Sequence, residues 1–63
     1  MLDRIAAEAD RLDLMAAQMR AQVRALPERE QRATEERAAE IEAYASRLRQ
    51  QIQDAMEAAD DAP

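Results

Sequence analysis

Apolar residues recur along this chain at alternating spacings of three and four, in two separate runs. Leu2, Ile5, Ala9, Leu12, Ala16, Met19, Val23 and Leu26 form the first. Thr34, Ala38, Ile41, Ala45, Leu48, Ile52, Ala55 and Ala59 form the second, with Thr34 the one polar member. A repeat of about 3.5 residues places each run on one stripe of a helix that packs against another helix. The phase slips by one residue between Leu26 and Thr34, so no single seam passes through the middle of the chain.

Pro27 lies at that slip. Its ring carries no N–H and clashes with the carbonyl four residues back, so it ends one helix or opens the next, and it pushes Leu26 out of the helical region. Arg20 and Arg24 precede it, and Glu28 and Glu30 follow it. These are the charges that suit a helix C-terminus and a helix N-terminus respectively. The pattern predicts helix 1 over about 2–25, a turn over about 26–28 and helix 2 over about 28–58. Acids at the C-terminus oppose the helix dipole and predict fraying from Glu57. A Glu28–Arg32–Glu36 ladder at spacing four supports the start of helix 2.

Folding the chain at the slip sets Met19 against Ala38, Ala16 against Ile41, Leu12 against Ala45 and Ala9 against Leu48. Four consecutive layers then match a large side chain with an alanine, and the large one changes helix each time, so antiparallel helices can approach closely. Ile5 against Ile52 continues the seam, and Val23 against Thr34 begins it. The same fold brings Arg20 to Glu42 and Asp13 to Arg49. The fold class is therefore all-α, an antiparallel helical hairpin with a core of Ile5, Leu12, Met19, Ile41, Leu48 and Ile52.

Two helices of 63 residues bury little surface alone. Leu14, Met15, Tyr44 and Met56 are left over once the seam is filled, and Met15 can reach Tyr44 across the hairpin. They are the candidate interface residues for a homodimer, in which two hairpins make a four-helix bundle, or for another protein. Tyr44 is the candidate anchor, since tyrosine is enriched where binding energy concentrates.

Composition removes most chemistry. There is no Gly, Cys or His, hence no disulfide, no thiolate or imidazole metal site, no Cys or His nucleophile and no glycine-rich phosphate loop. The acidic pairs Glu35-Glu36 and Asp60-Asp61, and Asp10 with Asp13, have no partner that would tune or orient them, and none sits on a seam. They read as a solvated face. No catalytic residue, metal ligand or cofactor is expected, and the chain is not expected to be an enzyme. A net charge of −5 argues against general nucleic-acid binding. No apolar run reaches the ~20 residues that span a bilayer. Asp3 and Arg4 do not fit a secretory leader, so a cytoplasmic location is the default.

In size and hairpin pattern the chain resembles the Rop-type plasmid regulators. That resemblance implies a dimeric four-helix bundle that binds RNA through a basic face of its first helix. Here the corresponding stripe offers only Arg4, Arg11 and Gln18, and the chain has no Phe and no Lys. The reading from the residues is a small, acidic protein-binding module, a regulator or inhibitor of the kind carried by phages and mobile elements. The alternatives are a Rop-like RNA-binding dimer and a structural scaffold subunit.

Overall fold

A computed structural model describes residues 2–61. Helix α1 spans Leu2–Gln22, a 3-10 turn follows over Val23–Ala25, and helix α2 spans Glu28–Asp61. The two helices pack against each other as a hairpin in a rod 56 × 15 × 11 Å.

The reversal needs no left-handed residue. No described residue has positive φ, which is how a chain without glycine can turn so tightly. Helix 1 was expected to stay α-helical to about residue 25, but its last turn tightens to 3-10 from Val23. The Leu26 N–H donates to the Val23 carbonyl at 3.0 Å, a common way to satisfy the carbonyls left open at a helix end. Leu26 itself is extended, at φ −92° and ψ 152°, as the clash with the following proline ring requires.

Pro27 then opens α2. Its carbonyl accepts the N–H groups of Glu30 at 2.9 Å and Gln31 at 3.1 Å, while its missing N–H falls where a helix has no partner for one. The carbonyl of Leu26 would still be open. Gln31 reaches back and donates its side-chain Nε2–H to that oxygen at 3.0 Å. Replacing Gln31 with alanine removes this half-buried hydrogen bond and is expected to cost about 1 kcal/mol in urea unfolding. An unchanged midpoint would show that water serves Leu26 equally well.

Helix α2 runs through Asp61, beyond the end expected near Ala58. Residues 55–59 are Ala, Met and Glu, all strong helix formers, and their summed propensity outweighs a dipole penalty of about 0.3–1 kcal/mol. Ala62 and Pro63 lie outside the described residues.

Burial follows the two stripes. Ala9, Ala16, Ala38 and Ala45 are 0% exposed and Val23 is 7% exposed. Ile5, Leu12, Met19, Leu26, Thr34, Ile41, Leu48 and Ile52 are each part-buried. At the open end Leu2, Ala55 and Ala59 are exposed, because among the described residues α1 starts at Leu2 and no other helix lies against the last turns of α2. Among the described residues no large side chain is fully buried.

Candidate interaction face

The two long flanks of the hairpin differ, and helix geometry explains how. Asp13 and Arg20 each follow a large seam residue, Leu12 and Met19; Glu42 and Arg49 likewise follow Ile41 and Leu48. These four side chains meet across one flank. Arg20 grips Glu42 with two N–H donors, at 2.5 and 3.3 Å. Arg49 bridges Asp13 at 2.6 Å and Asp10 at 2.9 Å. Hydrogen bonding to Glu42, and then its charge, holds the Arg20 guanidinium above the usual arginine pKa; hydrogen bonds to Asp13 and Asp10 do the same for Arg49. A folded-state pKa raised in this way contributes stability that is present at every pH below the ordinary arginine range and is lost only as pH rises through the raised value. These arginines therefore introduce no pH dependence near neutrality.

Met15 and Tyr44 occupy the other flank. Each immediately precedes a sealed alanine, Ala16 and Ala45, and in an antiparallel pair of helices such positions face one another on the side away from the ion pairs. The large seam residues Ile5, Leu12, Met19, Ile41 and Leu48 lean toward that same side, since on the helical wheel their positions adjoin those of Met15 and Tyr44. The alanines lean toward the ion-paired side. One flank is thus closed by charge and small residues. The other presents part-buried large side chains with exposed Met15 and Tyr44 beside them.

Of the four residues singled out in the sequence, geometry groups two on this flank. Successive residues on a helix are turned by about 100°, so Leu14, 60% exposed, projects from the back of α1 and not beside Met15. Met56 is also exposed, but it follows Ala55 and belongs to the ion-paired side, near the open end. The Tyr44 ring has the Arg47 guanidinium over it, 5.7 Å from its centroid. A cation over an aromatic face three residues back on the same helix is a favourable contact.

Two contacts escaped the sequence: Asp10 as a second partner for Arg49, and Gln31 on Leu26. Both are long reaches by one side chain over about a helical turn, and only the Gln three residues after Glu28 hinted at the second. Glu8 pairs with Arg11 on α1. The Glu28–Arg32–Glu36 ladder forms no ion pair, because exposed pairs gain little against the entropy of holding two long side chains.

Among the described residues no three acidic side chains gather as a metal site, and no helix is long and apolar enough to cross a membrane. Of the surface depressions, one on α1 is lined by Arg4, Ala7, Glu8 and Arg11, one on α2 by Glu28, Arg29 and Arg32, and two beside the turn by Leu26 or Pro27 with residues of α2. Comparison with protein-family models, with curated proteins and with solved structures finds no match to this chain.

Proposed function

We propose that this chain is a non-enzymatic interaction module, a regulator or inhibitor that works by binding protein, and that its working form is a self-associated pair of hairpins packed as a four-helix bundle. In that bundle the hairpin layers alternate alanine with large side chains. The observation that carries the reading is the incomplete core: the alanines are sealed while the large seam residues stay part-exposed, with Met15 and Tyr44 beside them. Part-buried side chains, and Met15 and Tyr44 at about half exposure, gain the burial of their remaining surface when a second apolar face closes over them, at about 25 cal/mol per Å2. The absence of His and Cys supports binding over catalysis.

RNA binding through Arg4, Arg11 and Gln18 is less well supported, because Arg11 is already engaged by Glu8 and no aromatic residue accompanies that stripe.

The test is the double substitution Met15→Ser with Tyr44→Ala. Both side chains are exposed in the hairpin, so the helix content of the single chain should hold. Self-association, followed by sedimentation, is expected to weaken at least tenfold. An unchanged association constant would refute the assignment of this flank.

A further inference from the structure

The charge that closes the ion-paired flank runs out before the open end. Arg20 meets Glu42, and one heptad along Asp13 meets Arg49. A further heptad in the same register sets Ala6 against Met56, an apolar pair in place of an ion pair. Met56 is 56% exposed and Leu2 37%, and Ala6, Ala55 and Ala59 are exposed beside them. One seam step beyond Ile5 and Ile52, Leu2 falls level with Ala55; α1 starts there, whereas α2 continues to Asp61. Among the described residues the last turns of α2 thus form an apolar ledge past the point where α1 stops.

We propose that this ledge docks a basic amphipathic helix of another protein, which lies against the end of α2 where α1 no longer does. The inference rests on the protein-binding reading above but not on self-association. The ledge and the Met15–Tyr44 flank are on opposite sides of the hairpin, so a pair of hairpins joined through that flank leaves both ledges free.

Spacing and charge identify the occupant. Ile52, Ala55, Met56 and Ala59 recur at the three-and-four spacing that a partner helix reads, and Leu2 and Ala6 widen the stripe from α1. Acids frame it, Asp3 and Asp10 on α1, Glu57 and Asp60 on α2. Asp10 shares Arg49, but among the described residues Asp3, Glu57 and Asp60 are in no ion pair. Arg4, two residues before Ala6, is turned about 200° away from it, and Arg11 is engaged by Glu8. Glu57 and Asp60 also stand in the last turns of α2, where they add to the negative pole of the helix, and a cationic partner relieves that repulsion. A second copy of this chain does not supply one. Residues 14–49 sum to +1, and 1–13 with 50–63 sum to −6, so its turn is nearly neutral and its own ledge is acidic. The ledge is short, about 6 Å from Ala55 to Ala59, so its charges carry much of the attraction and binding falls as salt is raised.

The probe is a synthetic peptide of leucine and lysine, about 18 residues long and patterned as an amphipathic helix. A scrambled peptide of the same composition keeps its charge and loses its apolar stripe. Each is titrated at low salt into the isotope-labelled full chain, followed by the amide shifts in its NMR spectrum. The patterned peptide is expected to move the amides of residues 2–6 and 55–60 and to bind more tightly than the scrambled one. Met56→Gln, exposed in the hairpin, is expected to weaken binding about fivefold, and Glu57→Lys with Asp60→Lys about tenfold. Met15→Ser with Tyr44→Ala is expected to leave it unchanged. No binding, equal binding of the scrambled peptide, or shifts centred on Met15 and Tyr44 would overturn the proposal. The mass of the free chain, read by light scattering on the same sample, reports self-association separately, so either reading can fail while the other stands.

Discussion

Ala16→Leu is expected to lower the melting temperature of the protein by about 5–20 °C. Ala16 is 0% exposed and lies on the stripe where α1 meets α2. A leucine there has no free volume to enter, so the helices must separate or the side chain must take a strained rotamer, at about 1–3 kcal/mol. For a domain of this size about 1 kcal/mol corresponds to about 4–8 °C. The whole fold is stabilised by only about 3–9 kcal/mol on the usual per-residue scale, so this single added side chain removes a large share of it. Ala16→Gly provides the comparison. It costs about 1 kcal/mol through helix propensity and leaves the helices free to stay close. Thermal unfolding of the two variants distinguishes overpacking from loss of helix. If Ala16→Leu melted at the native temperature or above it, the helices would not be in close contact at that point.

The second large effect contrasts two leucines. Leu48→Glu is expected to unfold the hairpin or cost about 2–4 kcal/mol, while Leu14→Glu is expected to stay within about 0.5 kcal/mol of the native protein. Leu48 is part-buried in the seam. A carboxylate there forfeits about 1 kcal/mol of apolar burial and leaves a polar group without a partner, a further 1–3 kcal/mol or about that. Leu14 is 60% exposed on the back of α1, where a carboxylate remains in water. Urea unfolding of both variants reads the difference. Equal losses at the two positions would contradict the placement of Leu14 away from the contact surfaces.

Much of the hairpin is legible in the sequence because it depends on spacing. Both stripes, the phase slip and Pro27 are local facts, and they suffice to set Arg20 beside Glu42 and Asp13 beside Arg49. What the sequence obscured depends on direction and reach. Leu14 and Met15 are neighbours in the chain, yet a turn of about 100° sends them to different sides. An arginine three residues ahead of Tyr44 on its own helix lies over its ring, a contact that heptad spacing does not report. The 3-10 ending of helix 1 and the Gln31 bond to Leu26 answer to unsatisfied carbonyls at the turn, and heptad spacing carries no information about them. The asymmetry between the flanks was present in the seam all along, alanine at the positions leaning one way and large residues at those leaning the other. It became informative once the ion pairs showed which flank was closed.

The central claim is that the hairpin's apolar flank is covered by a second hairpin. The most direct test is the solution mass by light scattering over a hundredfold range of concentration. The account predicts a constant mass of twice the 7.1 kDa chain, with cooperative melting that rises in temperature as concentration increases. A mass of one chain throughout that range would contradict it.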